Sequence, residues 1–277
     1  MKIDGWRYYN SAAVPTTPPN VDPCTEAVTS GEIWELDGNP ILARWTSCFD
    51  CKVETNWWYV IKDTPFDPDS LKAKRRYEIN KGKKNFDVKV IDPTEYCDQL
   101  FAVQTKAYEA YPAKYRPSCD KQSFEKNITG WRSYRVYAAF YRESGELCGY
   151  SLLRKTSDSW IEFSVQKTDP AFERYAVNAA LVEGILDDNR EFLIGGGCIC
   201  DGARSISHET AFQDYLEKYF GFRKAYCKLH LKYNPKVKWL VAILYPFRRI
   251  LMAFDNVGIF HKINSVLKME EEARKQK

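Results

Sequence analysis

The stretch WWYVIKDTPFDPDSLKAKRRYEINKGKKNFDVKVID, residues 57–92, decides how the rest of the chain is read. Its first six residues are aromatic or β-branched except for one lysine, the composition of a strand. Asp67 then offers a side-chain oxygen as an N-cap, with Pro68 in the first helical position and Gly82 as a stop. A helix over about Pro68 to Lys81 follows, and FDVKVID (86–92) alternates apolar and polar residues as a half-buried strand does. Within this strand–helix–strand unit, residues 71–85 hold seven Lys or Arg against one Glu. Leu71, Ala73, Tyr77 and Ile79 form no clean apolar stripe, so core packing does not account for the helix. A helix this basic is either a solvated face or a grip on a polyanion.

The whole chain does not share that bias. Over 277 residues the formal net charge is +4, so a nucleic-acid role has to rest on local patches. Hydrophobic residues make up 44% and charged residues 28%, ordinary values for a globular protein able to bury a large core. The 18 Tyr and 8 Trp combine apolar area with a polar handle, which suits either a core or a lined groove. The first 23 residues have no apolar run of signal-peptide length, so the nine cysteines read as reduced thiols in the cytoplasm. Cys48-x-x-Cys51 and Cys198-x-Cys200 would make a zinc site only if the two segments met in space. Neither has a second C-x-x-C partner, and no metal is expected.

Outward from the opening stretch, residues 1–32 read as an extended arm rich in Pro, Thr, Ser and Asn, and 33–235 as one α/β domain. From Glu54 the order is strand, helix, strand, two helices, three strands, helix, strand, helix, strand, which predicts a mixed central sheet flanked by helices. The later helix opens at Asp169-Pro170 with Phe172, Ala176, Ala179, Val182 and Leu186 on one face, and REFLIGGGCICDG (190–202) reads as a strand. The C-terminal 236–277 is a helical extension. Its apolar part, 236–254, is interrupted by Pro246 and is too short to cross a bilayer, but it suits a helix lying on a membrane surface or packed on the domain. No internal repeat is present. GGG at 195–197 lacks the Lys-Ser/Thr of a phosphate loop.

Asp201, Arg204, His208 and Glu209 cluster where a strand ends and a helix begins, the place where ligands gather in open α/β sheets. His208 is a candidate base there, and Asp201 is either catalytic or a helix cap.

The arrangement resembles the GNAT superfamily of N-acetyltransferases, and three stretches draw it toward the Fem-type (FemAB-like) branch, which includes peptidoglycan-bridge aminoacyltransferases. They are 57–92, with its Arg76-x-x-Ile79-x-Lys81-Gly82 ending, LCGYSLLRK (147–155), and DGARSISHETAFQDYLEKYFGFRKAY (201–226). Together they span roughly residues 54–233. The resemblance implies an acyl donor, acyl-CoA or aminoacyl-tRNA, and transfer to an amine on a cell-envelope or polysaccharide precursor. It implies Glu162 as a carboxylate beside the donor, Tyr215 near the reacting centre and Lys218 as a phosphate contact. It also places Gln166 at the start of the Gln/Arg-x-x-Gly-x-Gly/Ala loop that holds pyrophosphate at a helix N-terminus. No glycine follows Gln166 before Gly184, and Pro170 removes a backbone donor, so CoA binding in the usual manner is not expected. Lys74, Arg75, Arg76 and Lys81 then become the candidate phosphate contacts. Two other readings stand beside this one: a non-catalytic protein of the same fold that binds RNA or anionic lipid, and an acetyl-CoA-dependent N-acetyltransferase.

Overall fold

The computed structural model describes residues 1–112, 116–205, 211–255 and 258–276. The chain opens with β1 (Trp6–Tyr9), β2 (Ala12–Pro15), α1 (Glu26–Ser30), β3 (Leu42–Ser47) and β4 (Trp58–Lys62). Next come α2 (Ala73–Asn85), β5 (Phe86–Ile91), α3 (Cys97–Glu109), α4 (Lys121–Ile128), β6 (Arg135–Tyr141), β7 (Leu147–Ser157) and β8 (Trp160–Thr168). They are followed by α5 (Val177–Asp188), α6 (Arg190–Ile194), β9 (Cys198–Ala203), α7 (Ala211–Phe220) and β10 (Arg223–Tyr226). The chain closes with β11 (Lys228–Tyr233), α8 (Pro235–Leu244), α9 (Arg248–Met252) and α10 (Gly258–Lys275). This is an α/β protein with mixed sheets, flanking helices and a helical C-terminus.

Residues cluster into two compact units, and the division passes through β4, β9 and β10. The first unit comprises Met1–Val60, Ala203–Ala211 and Lys224–Lys277. Its sheet has the order β1-β2-β3-β11, with β2 and β3 parallel and the other pairs antiparallel. The stretch expected as an extended arm thus carries two strands and a helix, and Trp6, Ala13, Val28, Ile33 and Ala43 form one of its cores. Their burial outweighs the irregular, Pro-rich sequence between them. Within the same unit Trp57, Leu229 and Ala273 form a further core.

The second unit comprises Ile61–Gly202 and Phe212–Arg223. Its strands lie in the order β9-β8-β7-β6-β5. Strands β5 to β8 are antiparallel, while β8 and β9 run parallel. Leu100 and Val103 of α3 and Phe124 and Ile128 of α4 pack on Val136, Leu147, Tyr150 and Leu152 of the sheet. Residues of this kind contribute about 1.5–3 kcal/mol each when fully buried.

Four local expectations change. Asp67 caps a short 3₁₀ turn, Pro68–Ser70, by accepting from the Asp69 N–H at 3.0 Å, and the basic helix begins only at Ala73. Gly82 does not stop it, because a Cβ there would lie 2.8 Å from both the Ala176 carbonyl oxygen and the Ala180 nitrogen. Glycine lets α2 approach the start of α5 backbone to backbone. Helix α5 starts at Val177 rather than at Asp169-Pro170, since Pro170–Tyr175 is 3₁₀ and Ala176 adopts φ +68°. Finally, Arg190–Ile194 is helical, and the strand begins after the glycine turn at Cys198.

Candidate functional site

The site forms where β8 and β9 part. Their parallel ladder holds for three pairs, Trp160↔Cys198, Ile161↔Ile199 and Glu162↔Cys200, and then ends, although β8 continues to Thr168. The cause is on the other side of β8. Leu152 and Leu153 of β7 pair with Val165 and Phe163, so Ser164 is an extra residue, and a bulge of this kind bends its strand. Between the last ladder pair and the bulge, Phe163 packs against Phe212 of α7 at 5.8 Å between ring centroids. Phe212, Tyr215 and Tyr219 continue as an aromatic wall, with Tyr215–Tyr219 at 4.8 Å and Tyr215–Phe220 at 5.6 Å.

Three ionisable groups meet at this end of the strands. Glu162 makes an ion pair with Arg154 at 2.5 Å. Asp201 has no such partner among the described residues. Burial pushes its carboxyl up to about 7, opposed only by a hydrogen bond with Gln213 of α7. Its side chain still keeps some contact with solvent. The Cys200 thiol is driven well above its ordinary value by complete burial, with Cys198, Asp201 and Glu162 adding to the effect. Tyr215 is likewise raised, first by burial and then by the charge of Glu78 and by Tyr219.

The basic helix reaches the same wall, with the Arg75 guanidinium 5.9 Å from the Tyr219 ring centroid. Lys218 also lies over Tyr219, at 5.5 Å. Arg76 is partly engaged by Asp69 at 3.6 Å, and Lys83 pairs with the buried Glu183 at 2.6 Å. The side chains of Lys74, Lys81 and Lys84 have no hydrogen-bond or ion-pair partner among the described residues. Tyr77 is 66% exposed on this helix.

The glycine-free segment after Gln166 is filled by the protein's own groups. The Gln166 amide accepts from Ser151 Oγ at 2.9 Å and donates to Asn178 Oδ1 at 2.8 Å. Buried Asp169 accepts from the Ala171 N–H at 3.0 Å and pairs with Lys106 at 2.6 Å. Helix α2 covers the start of α5 at Gly82, and Asn85 donates to the Tyr175 carbonyl at 3.4 Å. The helix N-terminus where a pyrophosphate would sit in an ordinary enzyme of this kind is therefore covered by backbone.

Glu162, Asp201, Tyr215, Arg75 and Lys218 are thus brought together in the second unit, whereas Arg204 belongs to the first. Arg204 donates to the Asn56 carbonyl at 2.5 Å and lies 4.5 Å over the Trp58 ring, which Lys224 approaches at 4.6 Å. His208 and Glu209 lie outside the described residues. The two cysteine pairs fall in different units, and no group of three metal-ligating side chains occurs among the described residues. In the 236–254 segment Trp239, Ile243, Phe247 and Ile250 are more than half exposed. No described helix is long and apolar enough to cross a membrane. Sequence reasoning missed Arg154, the Lys106–Asp169 pair and Arg44. The last had a visible signal, a lone cation inside the apolar run ILARW.

No protein-family model and no curated protein matches the chain. Solved structures do. FemX superposes with a TM-score of 0.52 at 9% identity, over 78% of this chain and 78% of its own. L-PGS from Bacillus licheniformis superposes with a TM-score of 0.51 at 12% identity, over 86% of this chain and 83% of its own. The chain shares the fold of FemX and L-PGS.

Proposed function

We propose that the protein transfers an acyl or aminoacyl group to an amine, with Asp201 as the base. The observation that carries this reading is a carboxyl group poised near 7 at the point where β8 and β9 separate. A base with that value is half ionised at neutral pH and accepts a proton when the amine attacks. In the step, the amine nitrogen bonds to the carbonyl carbon, Asp201 takes the proton that the nitrogen loses, and the ester or thioester bond to the donor breaks as that proton passes to the leaving oxygen or sulfur. Glu162 is engaged with Arg154, which makes it a positioning charge beside the opening. Tyr215 and its aromatic neighbours supply the wall against which the acyl group or acceptor rests.

The donor's phosphates are assigned to α2, through Lys74, Arg75, Arg76 and Lys81, with Lys218 adjacent. Aminoacyl-tRNA suits this surface better than acyl-CoA, because the start of α5 is covered by α2. An acceptor on a cell-envelope or polysaccharide precursor fits the basic and apolar segment 236–254, whose exposed Trp239 and Ile250 flank Lys238 and Arg249 and suit contact with a lipid surface from the cytoplasmic side.

The test is calorimetric titration of the full chain with charged tRNA and, separately, with acetyl-CoA, followed by amide formation with a panel of amines. The reading requires tRNA binding that weakens with salt, and amide product that disappears in Asp201→Asn. Tight acetyl-CoA binding with acetyl transfer would return the protein to the acetyl-CoA-dependent enzymes. Salt-sensitive binding of RNA with no turnover would make it a non-catalytic binder.

A further inference from the structure

The first unit contains a cavity of about 660 Å³, a size that accommodates a small-molecule ligand. Ala12 and Leu42 of the sheet and Val266 and Met269 of α10 supply apolar lining. Arg44 and Trp57 line it as well, and among the described residues Arg44 has no carboxylate partner. Arg44 lies in the middle of β3. Its guanidinium sits 5.7 Å from the Trp57 ring and donates only to the Met269 sulfur, at 3.7 Å, a weak acceptor. Among the described residues no carboxylate pairs with it, and burial lowers its pKa, with Tyr59 and Tyr9 partly restoring it. The indole N–H of Trp57 is buried with no hydrogen-bond partner, on a residue only 1% exposed.

Buried guanidinium and indole donors ordinarily find acceptors, because an unpaired buried polar group is costly. Both residues line one cavity, whose remaining lining mixes apolar Ile41, Val266 and Met269 with polar Asn10, Ser11 and His261. Arg204 and Lys262 line the same space, with the Arg204 guanidinium donating to the Asn56 carbonyl.

We propose that this cavity binds a small organic anion, a carboxylate or phosphate carried on an apolar body, with Arg44 as its charge partner. A planar guanidinium engages either anion through two parallel hydrogen bonds, and the apolar lining accepts the body. The site lies in the first unit and does not rest on the transferase reading.

The experiment titrates the full chain with phenyl phosphate, phenylacetate and neutral benzyl alcohol, followed by calorimetry and tryptophan fluorescence. At least one anion is expected to bind with a Kd below about 1 mM, at least about tenfold tighter than benzyl alcohol. Which anion binds identifies the headgroup. Arg44→Met is expected to weaken that binding about tenfold or more, and Arg44→Lys to recover part of it. The proposal is overturned if neither anion binds at about 10 mM, if benzyl alcohol binds as well as both, or if Arg44→Met binds the anion like the parent. Should Arg44→Met not fold, the indole ¹H–¹⁵N resonance of Trp57 in the parent decides: a shift on adding anion but not alcohol supports the site, and no shift refutes it.

Discussion

The flank of α5 and the end of β9 treat buried carboxylates in opposite ways. Glu183 and Asp169, both buried, are each met by a lysine at 2.6 Å, from α2 and α3 respectively. Among the described residues Asp201 has the neutral Gln213 amide instead of a charged partner, and burial raises its carboxyl to about 7. Paired charges hold helices on a sheet, whereas a desolvated carboxyl with no charge partner among the described residues is the candidate base of the proposed reaction.

The largest expected effect comes from removing the unpaired group. Asp201→Asn should lower kcat/KM by about 10²- to 10⁴-fold in a transfer assay, while the fold remains. Stability should move the other way. Between the ordinary carboxylate value of 3.8 and about 7, the folded chain holds the Asp201 proton more tightly than the unfolded chain does. Stability contributed by this group therefore falls as pH rises through that window. Asp201→Asn should abolish that slope and melt higher at neutral pH, by an amount on the order of 1–3 kcal/mol. A variant that is inactive and also less stable would indicate that Asp201 is structural, which would erase the contrast with Glu183.

Next in size is the basic helix. Arg75→Glu with Lys81→Glu should weaken binding of charged tRNA about tenfold or more and flatten its dependence on salt. Unchanged affinity and slope would make α2 a solvated face. Gly82→Ala should cost about 1–3 kcal/mol in chemical denaturation, because the added methyl meets the backbone of Ala176 and Ala180 rather than a flexible side chain. Stability equal to that of the parent would show that α2 does not depend on this approach. The smallest effect belongs to the half-exposed ion pair. A double-mutant cycle on Arg154→Met and Glu162→Gln should give a coupling of about 1 kcal/mol or less in stability. A coupling several times larger would put Glu162 among the structural pairs.

Much of this was readable in the residues. The strand–basic helix–strand unit, the antiparallel run of three strands and the closing FGF turn are carried by local signals, namely Asp67, the alternation in FDVKVID and Gly221 with its positive φ. Gly82 was misleading because a glycine ends a helix or lets two helices touch, and only the presence of Ala176 and Ala180 selects the second. Ala176 in a left-handed conformation and Ser164 as a bulge are set by neighbours distant in sequence, and neither residue type announces it. Asp201 was legible as a candidate by its position after a strand, but its elevation depends on burial, which no spacing reveals.

The central claim is tested most directly by titrating Asp201 itself. Carboxyl ¹³C resonances of the full chain would be followed from pH 4 to 9, with Asp201→Asn used to assign the signal. The account predicts a midpoint near 7, coincident with the midpoint of the rise in transfer activity. A midpoint below about 5, in the ordinary carboxylate range, would contradict it.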